Sequence, residues 1–143
     1  MSGPPTLPAL VAAILFLLGA LHVYWAWGGA RGVGTVIPTT TDGGRPFRPG
    51  RLATLLVAGA LLLAGVVTLA AGEVTALPVP RAWVRGATWA LSAVFALRAL
   101  GDFRYVGVSK RVKTTPFSVW DTRLFTPLCA TLALGLTWIA SRA

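Results

Sequence analysis

The 143-residue chain holds one histidine, one cysteine and four carboxylates, so the positions able to do chemistry are few. Three stretches gather most of them: His22-Val-Tyr-Trp-Ala-Trp-Gly-Gly29, Arg98-Ala-Leu-Gly-Asp-Phe-Arg-Tyr-Val-Gly107 and Asp121-Thr-Arg-Leu-Phe-Thr-Pro-Leu-Cys129. A histidine and an aspartate brought together form an acid–base pair, which makes His22 and Asp102 the candidate catalytic residues. Trp25, Arg98, Asp102, Arg104, Tyr105 and Asp121 offer cations, acids and aromatic faces. They are the expected lining of a place that binds a lipid headgroup, a small ligand or a protein partner.

Structural readings stand beside these. Arg98 and Asp102 are four apart and share a helix face, so they read as an ion pair pinning that helix. The cation precedes the acid, which is the less favourable order, and Gly101 is placed to end the helix as a left-handed cap. Asp102 then needs a partner from outside its helix, with His22 or Arg104 in reach. His22 reads as a histidine bonded to a carboxylate or carbonyl across the fold. One histidine makes neither a bis-histidine haem site nor a zinc site of three or four protein ligands, so no metal and no cofactor is expected. Cys129 has no base beside it by spacing and reads as a packing residue, and a single cysteine excludes an intrachain disulfide. The turn-rich stretch from Ile37 to Pro49, with Gly43 and Gly44, lacks the lysine and spacing of a phosphate-binding loop.

The elements that must carry these residues are apolar. Apolar residues make up 55% of the chain and charged ones 12%, against roughly 25% charged in soluble domains. Mean hydropathy is +0.72. A ~30 Å hydrocarbon core takes about 20 apolar residues to cross as a helix. Four runs of that length predict transmembrane helices over 7–27, 52–72, 82–101 and 124–141. The third carries Arg85 and Arg98, which lie about 20 Å apart along a helix and so each near an interface. The fold class expected is all-α: a single-domain integral membrane four-helix bundle over 1–143, with short outer and longer inner loops. A soluble bundle would need polar helix faces, and the second run has none beyond Thr54 and Thr68. The first run lacks the basic leader of a secretory signal and ends in Tyr24, Trp25 and Trp27, so it reads as a retained span. Thr126-Pro127 reads either as the start of the fourth helix or as a kink in a helix begun near Asp121.

Charge sets the expected orientation. The formal net charge is +9. Loops 28–51 and 102–123 hold Arg31, Arg45, Arg48, Arg51, Arg104, Lys110, Arg111, Lys113 and Arg123, so both are expected in the cytoplasm, with both termini outside the cell membrane. The same cations point to anionic lipid headgroups as partners. Nucleic acid is not expected, because the charge flanks apolar spans and not an exposed aromatic platform or recognition helix. Gly59, Ala60, Ala64 and Gly65 on the second span suit close packing, within the bundle or with a second copy or membrane partner.

Together the three polar stretches resemble domain of unknown function 3995, a family of small bacterial four-helix membrane proteins with no assigned activity. The resemblance runs over nearly the whole chain and implies the fold and the membrane location, and it supplies no chemistry. Val108-Ser109 and Phe125-Thr126 stand where that family's pattern has bulky aromatics and Tyr-Ser. The functional expectation is a non-catalytic multi-pass protein with a polar cluster at its cytoplasmic side. The alternatives are an enzyme acting on a lipid or isoprenoid through His22 and Asp102, and a structural helper of a larger complex.

Overall fold

The computed structural model describes residues 6–38, 40–44 and 49–143. Arg45 and Arg48 of the first basic loop, and part of its turn-rich stretch, lie outside the described residues. The described chain is all-helical and has no strand. Four long helical rods carry it: α1 (Thr6–Ala26), α3 (Arg51–Ala71), α4 (Arg81–Leu100), and a last rod built from α5 (Pro116–Trp120), a π-helical turn (Asp121–Phe125) and α6 (Thr126–Arg142). A single short turn, α2 (Val33–Val36), lies between the first two and packs on α5.

Three of the rods are long and apolar enough to cross a membrane: α1, α3 and the 27-residue rod Pro116–Arg142. At 1.5 Å per residue that last rod is roughly 40 Å long, more than a ~30 Å hydrocarbon core requires. α4 has the length, but its Arg81, Arg85 and Arg98 leave it outside those three.

The last rod starts earlier than its apolar run, which was expected to begin at Leu124. The chain has two Thr-Pro pairs, and the first one is the helix start. Thr115 has extended backbone, its hydroxyl accepts from the Ser118 N–H at 3.2 Å, and Pro116 takes the first turn. Thr126 is already helical and its N–H donates to the Asp121 carbonyl, five residues back. The wide turn absorbs Pro127. In a regular helix its ring would press on the Arg123 carbonyl and leave that carbonyl without a donor.

Small residues set the seams. α1 and α3 run antiparallel, with Gly19 against Ala58 and Leu62, and Gly65 so close to Phe16 that an added Cβ would lie 2.5 Å from its ring. Gly59 and Ala60, by contrast, point outward. α4 and α6 are joined by Ser92, whose hydroxyl donates to the Ala133 carbonyl at 2.9 Å and lies 2.7 Å from the Thr137 hydroxyl. Such bonds help join helices whose outsides are apolar too. The core between the rods comes from all four: Val11, Leu15, Ala64, Ala71, Val84, Leu132, Leu136 and Ile139. Outside it, Leu10, Leu17, Leu56, Leu63, Leu97 and Leu134 face outward. Trp27 and Trp120 mark one end of the rods, and Trp83 and Trp138 the other, as interfacial aromatic belts do.

Neighbouring leucines on α6 separate packing from outward exposure. Leu136 is 0% exposed and Leu134 72%. Leu136→Ala is expected to lower stability in detergent by about 2–5 kcal/mol, and Leu134→Ala to change it by no more than ~0.5 kcal/mol. Thermal unfolding followed by circular dichroism measures both.

Candidate functional site

Asp121 opens the π-helical turn and is fully buried. Four donors reach its carboxylate. Arg98 Nη2 donates to Oδ1 at 2.9 Å, while Lys110 Nζ at 2.8 Å, the Gly107 N–H at 2.9 Å and the Thr126 hydroxyl at 3.0 Å all donate to Oδ2. They come from the last turn of α4, the loop that follows it, and the start of α6. A carboxylate offers about four lone-pair sites, so Asp121 is saturated and is built as an ion-paired tie, not as a base awaiting a proton. Lys110 is buried as well, and its ammonium also donates to the Gly107 carbonyl at 3.2 Å. Two cations face one acid, which leaves an excess positive charge. Arg98 Nη1 is buried with no hydrogen-bond partner.

The loop after α4 is drawn into a closed knuckle over residues 101–107. Gly101 (φ +91) and Gly107 (φ +81) touch backbone to backbone with no room for a Cβ at either, so both must be glycine. Asp102 does not pair with Arg98, because the turn at Gly101 carries it off that helix face. Its Oδ1 instead accepts the N–H groups of Arg104 (2.9 Å), Tyr105 (2.7 Å) and Val106 (2.9 Å). Partial burial pushes its pKa up, but the N–H groups of Val106, Arg104 and Tyr105 outweigh that and hold it below the usual carboxylate value. The Val108 and Ser109 N–H groups bond the Ala99 and Leu100 carbonyls, which satisfies the end of α4. Arg104 lies over the Tyr105 ring at 5.1 Å, and its carbonyl accepts from the Arg111 and Val112 N–H groups. Phe103 has φ +62, a conformation that costs a non-glycine residue about 1–2 kcal/mol.

At the end of α1, Trp25 Nε1 donates to the Arg31 carbonyl at 2.9 Å, which folds the following loop back onto the helix. His22 packs edge-on against Trp25 with ring centroids 5.1 Å apart. Its Nδ1 lies 2.7 Å from the Leu18 carbonyl. A carbonyl only accepts, so Nδ1 carries the proton. The histidine's partner is therefore in its own helix and not across the fold. Among the described residues no hydrogen bond joins His22 to Asp102, and no three of His, Cys, Asp and Glu converge to hold a metal ion.

The sequence-predicted residues thus fall into separate groups: Arg98 with Asp121, Asp102 with Arg104 and Tyr105 in the knuckle, and Trp25 with His22 on α1. Lys110, Gly107 and Thr126 complete the cluster and were not among the expected site residues. Thr126 is five positions from Asp121, which is not a same-face spacing on an α-helix and becomes one only in the wider turn. Lys110 has no mark to set it apart from Arg111 and Lys113. Around this cluster Arg31, Arg51, Arg104, Arg111, Lys113 and Arg123 are exposed.

Asp121→Asn leaves Lys110 buried without its counter-charge, and is expected to cost about 3–5 kcal/mol. Adding Lys110→Met should restore part of that loss. A double-mutant cycle in detergent reads the coupling, and additive losses would contradict a direct tie.

A family model described as protein of unknown function (DUF3995) matches residues 15–136, most of the chain. No curated protein and no solved structure matches it. The matched stretch takes in the α1 aromatics, the knuckle, and Asp121 with its four donors. The chain belongs to the DUF3995 family.

Proposed function

We propose that the chain is a non-catalytic, multi-pass protein of the cell membrane whose basic end holds anionic lipid headgroups. In this reading α4 is the fourth span of a four-helix bundle. Its arginines lie near its ends, with Arg98 tied to Asp121 and Arg81 paired to Glu73 at 2.5 Å. Arg85 is exposed one turn in from Arg81 and reaches the same interface by snorkelling. The observation that carries the lipid reading is the fate of the acids beside the exposed cations. Asp121 is buried and spent on Arg98 and Lys110, which leaves only Asp42 and Asp102 as exposed acids there against the exposed Arg31, Arg51, Arg104, Arg111, Lys113 and Arg123. Cations beside a bilayer are worth about 1 kcal/mol each toward anionic lipid. An enzyme using His22 and Asp102 has less support, since each is engaged locally.

Purified protein is expected to unfold several degrees higher with phosphatidylglycerol than with phosphatidylcholine added to the micelles. Added salt should erase the difference. Equal midpoints with both lipids would overturn the reading.

The basic end is proposed to face the cytoplasm, because positive residues in short loops stay there. In a Cys129→Ser background, an impermeant thiol reagent applied to whole cells should label Thr75→Cys and spare Thr40→Cys. The reverse pattern would invert the orientation.

A further inference from the structure

Phe103 holds a backbone conformation that its side chain disfavours, and it holds it facing outward. Its φ is +62 and its residue is 68% exposed. Among the described residues the other positive-φ positions are glycines, apart from Glu73. A non-glycine residue kept in this region at an exposed tip implies that the side chain has a use there. The backbone that carries the ring is also fixed. Immediately after it, the N–H groups of Arg104, Tyr105 and Val106 are held by Asp102, and below it Gly101 and Gly107 are locked in contact. The Arg104 carbonyl is tied to Arg111 and Val112. Val108, just past the knuckle, is 75% exposed.

The surroundings indicate what the ring meets. The knuckle starts one residue beyond α4, at the end where the exposed cations lie, which is headgroup depth for a helix of this length. Arg104 and Arg111 flank it, and the knuckle's one acid, Asp102, is engaged by its own backbone. An apolar ring bordered by two cations, with the one acid of the knuckle turned onto its own backbone N–H groups, is complementary to the boundary between acyl chains and anionic headgroups.

We propose that the 101–107 knuckle is a membrane-interface anchor. Phe103, and the exposed Val108 that follows the knuckle, insert among the anionic lipids of the leaflet at the basic end, and Arg104 and Arg111 take their phosphates. This rests on the membrane reading above and adds a specific point of insertion to it. Because Gly107 and Lys110 of the same loop donate to Asp121, seating the anchor and holding the tie are one structural task.

Nitroxide labels on single cysteines, in a Cys129→Ser background and in nanodiscs of phosphatidylglycerol and phosphatidylcholine, test this. Relative access to oxygen and to a water-soluble nickel chelate reports depth. Leu56→Cys, on an outward position of α3 that is 66% exposed, is the hydrocarbon reference, and Lys113→Cys the aqueous one. The label at Phe103→Cys is expected to favour oxygen, as at Leu56→Cys, while Lys113→Cys favours the chelate. Chelate access at 103 equal to that at 113 would overturn the anchor, and so would shielding from both reagents, which would mean a protein covers the ring. Chelate access at Leu56→Cys would instead sink the membrane reading itself. As a second variant, Phe103→Gly suits the positive φ and should keep the fold. It should also shrink the rise in unfolding temperature specific to phosphatidylglycerol, and an undiminished rise would count against insertion.

Discussion

A carboxylate sealed from water is tolerable only when other groups replace its hydration completely, and the arrangement around Asp121 follows from that demand. Four donors are needed, and no single segment of this chain has four to give. α4 supplies Arg98, the loop supplies Gly107 and Lys110, and α6 supplies Thr126. Each must arrive at about 3 Å for the others to be worth having, because a partly satisfied buried charge is worse than none. The tie therefore sets where α4 ends, how the loop closes, and where the last rod departs from α-helical winding.

The rest of the fold has weaker means at its disposal. Where the outside of a rod is as apolar as its inside, burial alone does not choose which faces meet. Close approach does it for α1 and α3, through Gly19 and Gly65. A hydroxyl does it for α4 and α6, through Ser92 to Ala133 and Thr137. Both devices act in mid-rod, while the Asp121 tie acts at the end, so the α4–α6 pair is held at two separated points.

Apolar run length made the rods legible. α1, α3 and α4 each begin one residue before the apolar stretch that announces them, a difference within the ordinary fraying of helix ends. The last rod was read short because Asp121 and Arg123 interrupt its apolar pattern, and composition does not distinguish a charged residue in a loop from one enclosed by donors. Thr115-Pro116 carried the true start signal, but Thr126-Pro127, next to the long apolar run, carried the same one. The polar cluster was half legible. Arg98 and Asp121 were both visible as candidates, yet a neighbour four residues on competed for the arginine, and its actual partner lies 23 positions away. Local spacing reveals local pairs, and Asp102 was local to Arg98 only as long as the helix was assumed to continue through Gly101.

The widened turn over Asp121–Phe125 also fixes the rotational phase of everything after it. A π-helical turn is equivalent to one residue inserted into an α-helix, and each residue advances a helix by about 100°. Wound as regular α-helix with no residue removed, that interval would turn the seventeen residues of α6 by about that angle. Ser92 would then face a different side of α6, and Leu132, Leu136 and Ile139 would swing out of the core together. The extra residue in this interval and the width of its turn therefore have to come and go together, because either change without the other misaligns the last rod.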